Sequence, residues 1–574
     1  EAHAFFRPGA VQFLYLRAFN SLQDMARRIA LIWVRNDLRL RDNPLLHHPI
    51  VRDADALLPV FCFDPRHFGT NSALHPQWSR APRLQKTGVL RARFLLETAR
   101  DFQRSLRQLG SDLLLLQGQP EDLLPRLART LSAQEDASVH VIVQREAAAE
   151  EVYCEESVRK SLEDCGASLE TLWGAQTLFD PEDLPFDMAN LPEPFTSFRN
   201  VVESKKAPVP VREELSAPTS LPPLPSLLPR ALEEICGGVL SLDADLDGCL
   251  VVLGFTETDV RRRIDQRCSN HFVGGEAAAL ARLEAFVEAG LATYKQTRDS
   301  LMGEHYSSKL SPWMANGCLS PRTVYWRVVR FEEQYGESLD TYWLGFELKW
   351  RDFFRFFGIK HGKHIFLRGG PVRSSKSWSA DLMLFHKWCH GDTGIPFVDA
   401  NMRELMLTGF MSNRGRQCMA SFLTQEFQVD WRLGAQWFEQ MLLDHDVFSN
   451  YGNWVFAAGV GMRGQRINKF NMAKQAQTYD KQAEFVKLWV PELDNFPPHL
   501  ALAPWVASAS EQAAAGCTIG IDYAKSLVRP EWSSEAMSRE EQRDAGEQSQ
   551  RMKSGYSLQK RRWHHGRNGS YLAS

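Results

Sequence analysis

The sequence predicts two unlike halves: an N-terminal α/β domain built on a doubly wound parallel sheet, and a C-terminal all-α domain beyond a long connector. Three observations predict this. Short apolar runs alternate with amphipathic helices as far as about residue 175. A proline-rich stretch then interrupts all periodicity. From Gly274 onward the pattern is helical. At roughly 100–200 residues per domain, a chain of 574 residues also needs two or three domains.

The elements follow in order. Ile29-Ala-Leu-Ile-Trp-Val34 is an unbroken apolar run, the mark of a strand buried on both faces. Leu57 to Phe63, Leu113 to Leu116 and Val139 to Val143 repeat it. Between them, Val89 to Leu109 reads as an amphipathic helix ended by Gly110, and Pro120 to Leu131 as another. Seven prolines between 204 and 230 leave no room for regular structure, so this stretch reads as an extended linker. Ala231 to Arg267 carries only Gly and Asp punctuation. Leu280, Leu283, Phe286 and Val287 then share one helical face, closed by Gly290. Later helices are expected at 321–335, 341–357, 397–408, 416–427, 431–443 and 479–489. The expected units are an N-terminal extension (1–27), the α/β domain (28–175), the connector (176–270), the helical domain (271–504) and a basic tail (505–574).

Composition narrows the function. The chain holds 67 basic and 70 acidic residues, so nucleic-acid contact needs a local patch. No apolar run is long enough for a bilayer-spanning helix, and a monomer is expected. None of the ten cysteines forms a C-x-x-C pair, which argues for reduced thiols and no metal. Residues 1–27 are Arg-bearing and acid-poor. They read either as a frayed terminus or as a targeting remnant, which would place the protein in chloroplast or mitochondrion rather than nucleus or cytoplasm. Beyond Glu547 the tail has no acid and six cations, among them Arg561 and Arg562. It reads first as a solvated tail and second as an arm for nucleic acid, RNA included. Sixteen tryptophans are unusual, and eleven lie between Trp313 and Trp505.

Four stretches carry chemistry. No G-x-G-x-x-G follows the first strand, so the helical half must supply any cofactor site. Ser307-Ser-Lys-Leu-Ser311 before Pro312 offers hydroxyls and a cation to a pyrophosphate, or simply caps a helix. Glu347, Trp350 and Arg351 share a helical face. They can read, stack on and hold a nucleotide, or form a buried Trp beside a surface ion pair. In Asn413-Arg-Gly-Arg416, Gly415 permits close approach and the arginines suit phosphates, unless it is only a charged loop. Asp444 and Asp446 stand two apart on a loop, ahead of Asn450 and Trp454. Asn450 could face a heterocycle nitrogen.

Together, "YKQTRDSL", "SSKLSPWMANGCLSPR", "ELKWRDFFRF", "TGFMSNRGRQ" and "DWRLGAQWFEQMLLDHDVFSNYGNW" resemble the FAD-binding domain of the photolyase/cryptochrome family. "IALIWVRNDLRLRDNPLL" resembles its antenna domain, and "VGMRGQRINKFNMAKQAQTYD" its DASH branch. The resemblance implies FAD held by Tyr294, Ser307, Ser308, Lys309, Leu310, Ser311, Arg351, Arg416, Asp444, Asp446 and Asn450. It implies electron transfer through Trp454, Trp431 and Trp378. Glu347, Trp350, Asn413, Arg414 and Phe456 would hold a cyclobutane pyrimidine dimer. DNA is the implied partner, with single strands favoured because a lesion there need not be unpaired.

A methenyltetrahydrofolate antenna is also implied, with Glu150 as its carboxylate contact and Glu146 next. Two departures bear on repair: Phe456 stands where the family carries Trp or Tyr, and Lys349 replaces an apolar residue. The implied activity is light-driven lyase repair. The rival is a blue-light photoreceptor with the same cofactor.

Overall fold

The computed structural model describes residues 27–68, 84–226, 240–243, 245–462, 467 and 469–528. Residues 1–26 of the N-terminal extension, 227–239 of the linker and 529–574 of the tail lie outside them.

Five parallel strands form one sheet: β1 (Arg27–Val34), β2 (Ala56–Phe63), β3 (Leu114–Gln117), β4 (Ala137–Gln144) and β5 (Ser168–Leu172). Their order is β3-β2-β1-β4-β5, with Leu31 opposite both Leu58 and Val141. The apolar run of β1 is divided by strand alternation. Ile29, Leu31 and Trp33 pack into a core with Leu124, Leu127, Val158 and Leu162, from helices α2 (Pro120–Glu135) and α3 (Ala149–Glu163). Ala30, Ile32 and Val34 face the other way, toward Phe94 of α1 (Val89–Gln108) and a core continuous with the helical half. Strand β5 was not expected. It is an edge strand with one fully buried residue, Leu169, and so has no apolar run to reveal it.

In a sheet of this order the crevice lies beyond the carboxyl ends of β1 and β4, and such crevices usually hold a ligand. Here the helical half is seated there. Arg39 Nη1 donates to the Gly317 carbonyl at 2.8 Å. A Cβ at Gly317 would come within 1.9 Å of the Asn36 carbonyl oxygen, so only glycine fits. Arg355 meets Glu146 at 3.5 Å across the same joint. The missing glycine-rich motif thus has a structural counterpart, because the nucleotide position serves as a domain joint.

In the connector, helix α4 (Phe195–Val202) is followed by no helix or strand over residues 203–226, and two short helices, Leu246–Val252 and Glu257–Val260, then occupy the stretch that the sequence marked only by Gly and Asp. It is tied to the α/β domain at intervals. The Asp42 N–H donates to the Leu215 carbonyl and the Leu57 N–H to the Pro223 carbonyl, both at 2.8 Å.

The helical half contains α5 (Glu276–Ala289), α6 (Pro321–Tyr335), α7 (Leu339–His361), α8 (Leu382–His390), α9 (Pro396–Thr408), α10 (Asn413–Ser421), α11 (Trp431–Met441) and α12 (Val447–Ala458). Two expected helices are corrected. The helix expected at 416–427 begins at Asn413, because Ser412 caps the Gly415 N–H at 3.0 Å. It passes into a π-turn at Phe422–Glu426. The helix expected at 479–489 begins only at Glu484 and runs to Trp489, while Tyr479 closes a separate preceding helix, Met472–Tyr479. Asp480 separates the two by accepting from the Phe485 and Val486 N–H groups. Close helix approach depends on glycine. A Cβ at Gly452 would meet the Phe354 ring at 2.3 Å, and one at Gly434 the Trp454 ring at 2.2 Å, so α12 beds into α7 and α11.

Candidate flavin and substrate site

Helix α7 positions much of the site. Ser338 and Thr341 cap it reciprocally, which fixes the start of a 23-residue rod. Arg351 and Arg355, one turn apart, point toward α12. Asp446, the N-cap of α12, lies 3.8 Å from Arg351 and 3.5 Å from Arg355 and accepts from the Ser449 N–H at 2.8 Å. Burial opposes ionisation of Asp446, but the two guanidinium groups and the N–H outweigh it and hold the carboxyl well below its usual range. Arg351 also donates to the carbonyls of Gln176 and Met314. The next residue, Asp352, is fully buried and accepts the N–H groups of Leu178 and Phe179. Burial dominates there and raises its pKa to about 7.

Asp444, on the loop before α12, takes Ser311 Oγ at 2.6 Å and Arg416 at 2.8 Å, both on Oδ2. Its Oδ1 is buried and has no partner among the described residues. Asn450 donates from Nδ2 to the Ala435 carbonyl at 2.9 Å, so its oxygen points the opposite way and is left to accept. Tyr294 and Leu310 are buried beside this wall. Arg282 engages the carbonyls of Ser307 and Ser308, and their hydroxyls make no hydrogen bond among the described residues. The buried acceptor at Asp444, the hydroxyls and Arg416 fit a cofactor that offers N–H and O–H donors alongside phosphate. These residues could hold FAD.

Three details revise the expected roles. Lys309, at φ 53°, spends two N–H donors inside the protein, on Ser269 Oγ and the Gly303 carbonyl, both at 2.6 Å. Burial pulls its ammonium down to about 8. Gly415 serves helix packing, since a Cβ there would lie 2.1 Å from Asn401 Oδ1. Ser311 opens a helix of only five residues without capping it, and its hydroxyl goes to Asp444 instead.

The adjoining edge of the same face of α7 carries Glu347 and Trp350. Glu347 is paired with Arg298, whose guanidinium lies 4.5 Å over the Trp343 ring. The adjacent Asp299 pairs with Arg414 at 3.3 Å, next to exposed Asn413, so the 298–299 segment gathers Glu347, Asn413 and Arg414 on one rim. Trp350 stacks on Phe195 of α4 at 3.7 Å and 11°. Phe354 contacts Trp350 at 5.4 Å and Phe456 at 5.7 Å, making a continuous aromatic wall. Lys349 faces elsewhere. It bonds Glu203 of the connector at 2.8 Å, which removes it from the substrate rim. Arg298 and Phe195 went unread in the sequence because their partners lie far away along the chain, and Phe354 because its contact with Phe456 does.

Trp454 and Trp431 are wholly buried and Trp378 nearly so. Trp431 opens α11 and donates from Nε1 to the Arg368 carbonyl at 3.1 Å, while the Arg368 guanidinium donates to the Trp378 carbonyl. The backbone of Ser379, next to Trp378, pairs with Gln428 and Asp430, next to Trp431. Trp388 contacts Trp454 at 6.2 Å, a neighbour that no motif marked. Glu146 is buried in the domain joint, whereas Glu150 pairs with Lys86 and keeps an exposed carboxylate. Among the described residues no cluster of His, Cys, Asp and Glu could hold a metal ion, and no helix is long and apolar enough to cross a membrane.

Comparison with known proteins agrees with this geometry. Residues 30–219 match the DNA photolyase family, and residues 343–543 match the FAD binding domain of DNA photolyase. Cryptochrome DASH of Xenopus laevis is 42% identical over 88% of this chain and 91% of that protein. The rice protein (Oryza sativa subsp. japonica) named "Cryptochrome DASH, chloroplastic/mitochondrial" is 43% identical over 81% of this chain and 77% of its own. The crystal structure of Synechocystis sp. PCC6803 cryptochrome superposes with a TM-score of 0.78 at 40% identity, covering 89% of this chain and 98% of that one. A photolyase-type α/β domain joined to a helical FAD-binding domain, with relatives of this similarity over most of its length, makes the chain a member of the photolyase/cryptochrome family, in its cryptochrome DASH branch.

Proposed function

We propose that the protein repairs cyclobutane pyrimidine dimers in DNA, single strands by preference, in a light-driven, FAD-dependent reaction. The observation that carries this reading is the wall of Trp350, Phe354 and Phe456, set beside the carboxylate of Glu347. Flat apolar rings and one carboxylate suit two adjacent pyrimidines, which offer π-faces and imide N–H donors. Bound FAD supplies one-electron chemistry under light. The protein contributes position and charge. Asp444 and Asn450 accept from the cofactor, Arg351 and Arg416 set a positive field, and Asn413 and Arg414 meet the DNA at the rim. Trp454, Trp431 and Trp378 form the proposed route for electrons from the surface. Glu150 is the proposed contact for a folate antenna, and the name of the rice relative supports an organelle location.

A second reading, photoreception without repair, draws on one observation. Arg298 holds Glu347, and Phe195 covers a face of Trp350, so both groups already have partners. One experiment separates the two. Purified protein is illuminated with single- and double-stranded oligonucleotides that contain a dimer. Repair of the single strand, with less in the duplex, supports the lyase reading. Unchanged dimers on both, with the bound flavin still photoreduced, support the photoreceptor.

A further inference from the structure

Tyr451 sits three residues before Trp454 on α12. Its ring meets that of Trp431 at 6.3 Å and 79°. Its hydroxyl donates to Glu439 Oε2 at 2.9 Å. The ring is buried against Phe366 on another side, at 4.8 Å. None of the functions assigned above uses this pair.

We propose that Tyr451 and Glu439 form a proton-coupled side branch of the tryptophan route: Tyr451 reduces oxidised Trp431 and passes its phenolic proton to Glu439. This rests on the electron route of the proposed function, in which the light-excited flavin is the oxidant and the vacancy it leaves on Trp454 passes to Trp431. One electron leaves Tyr451 and refills Trp431, which returns to neutral indole. The Tyr451 O–H bond breaks, and the proton bonds to Glu439 Oε2. The products are a neutral phenoxyl radical and a neutral carboxylic acid. An indole cation and a carboxylate anion are therefore both discharged, which a low-dielectric interior favours.

The surroundings suit that transfer. A phenol that loses an electron must lose its proton as well, and a buried phenol has no water to take it. Glu439 stands at hydrogen-bond distance. Burial pushes its carboxyl up, which strengthens it as a proton acceptor, while Lys86 and Arg91 keep the anion accessible against that burial. Arg91 is anchored there, donating to the Glu439 backbone carbonyl at 2.8 Å. His445 lies 3.8 Å from Oε1, and Glu150 adds a negative charge beyond Lys86. The electron cannot return alone, because the proton must return with it. The branch therefore lengthens the life of the light-induced radical state.

The test uses blue-light flashes on the purified flavoprotein, with EPR and transient absorption as readouts and the FAD-to-protein ratio as a check on folding. The parent should give a tyrosyl radical that follows a tryptophanyl one and forms more slowly in deuterated water, a measurement that needs no variant. Tyr451→Phe should lose the tyrosyl signal and shorten the radical lifetime roughly tenfold, equivalent to about 1.4 kcal/mol of barrier. Glu439→Gln can still accept the hydrogen bond but cannot take the proton, and should also lose the signal. Azide radicals, which oxidise tryptophan without light, should populate Tyr451 in the parent and not in either variant. A tryptophanyl radical with no tyrosyl successor, or a tyrosyl signal that survives in Tyr451→Phe, overturns the branch. If no tryptophanyl radical forms, the route itself fails and the branch falls with it.

Discussion

The two edges of the site-facing side of helix α7 are built differently. On one, Arg351 and Arg355 converge on Asp446, Arg355 is buried and the other two nearly so, and the carboxylate is also fixed as a helix cap. On the other, Glu347 and Trp350 are partly exposed and held by partners from other segments of the chain, the Arg298 side chain and the Phe195 ring. A resident cofactor needs a wall that does not rearrange. A substrate that arrives and leaves needs groups whose partners can be exchanged. The contrast sets the more buried, charge-fixed groups on the first wall and the more exposed ones on the second.

The comparison breaks if the first wall proves dispensable. Asp446→Ala leaves two largely buried guanidinium groups without their common partner and removes the cap of α12. The expected loss is about 3–5 kcal/mol for the broken buried pair, with about 1 kcal/mol more for the cap. A fall in the thermal midpoint of more than several degrees, with loss of yellow colour, is expected. A variant that melts like the parent would show that the arginines do not depend on Asp446.

Substitutions on each side should then separate. Asp444→Asn weakens a charged acceptor of Ser311 and Arg416, and FAD retention should fall by about 1.5–3 kcal/mol. Glu347→Ala should keep FAD at the parent ratio and lose dimer binding by a similar amount. Equilibrium dialysis of the flavin and a gel-shift with a dimer-bearing oligonucleotide give both values. Equal loss of flavin in both variants would erase the distinction between the walls.

Much of the site was legible in the sequence because its residues sit at fixed spacings: Arg351 four after Glu347, and Asn450 four after Asp446. Helical geometry converts such spacing into a shared face. The partners were not legible. Arg298 reaches Glu347 from 49 residues away, and Phe195 reaches Trp350 from the connector. Lys349 reads as a disturbance of the Glu-x-x-Trp motif until Glu203 is seen to hold it. Gly415 reads as a ligand-approach residue until Asn401 is found against it. For the fold, strands β1, β2 and β4 announced themselves by burial on both faces. Edge strand β5 did not, since pairing on one side and exposure on the other leave no apolar run. Local pattern is written in the chain, whereas a choice among distant partners is made only by packing.

A third test concerns Glu404 on α9. Burial raises its carboxyl to about 8, against the pull of Lys309 and Arg416, and its Oε2 has no partner among the described residues. The unfolded chain releases this proton near the ordinary glutamate value, and the folded chain keeps it to about pH 8. Between those values the folded state binds more protons, so stability falls as pH rises, by at most about 1.4 kcal/mol per pH unit. Glu404→Gln should flatten that slope in urea titrations at pH 5.5, 6.5 and 7.5. An unchanged slope would mean that the carboxyl ionises freely and that the cofactor wall is less dry than its geometry indicates.

The smallest expected effect lies at the outer end of the tryptophan route, where the partial exposure of the second wall recurs. The Lys376 ammonium sits 4.1 Å from the centre of the Trp378 ring, and burial lowers its pKa. A cation over an aromatic face stabilises the neutral ring by about 0.5–1 kcal/mol at a partly exposed site. It repels the same ring once an electron has left it. Lys376→Met removes both effects, so an electron vacancy should reach Trp378 more readily. Flavin photoreduction under blue light with an external donor should accelerate, by less than about tenfold at this energy. FAD content should not change, because Lys376 touches none of the residues that could hold the cofactor. A slower variant would mean that the cation aids the last step, for instance by drawing in an anionic donor, and Trp378 would then be a docking point as well as a terminus.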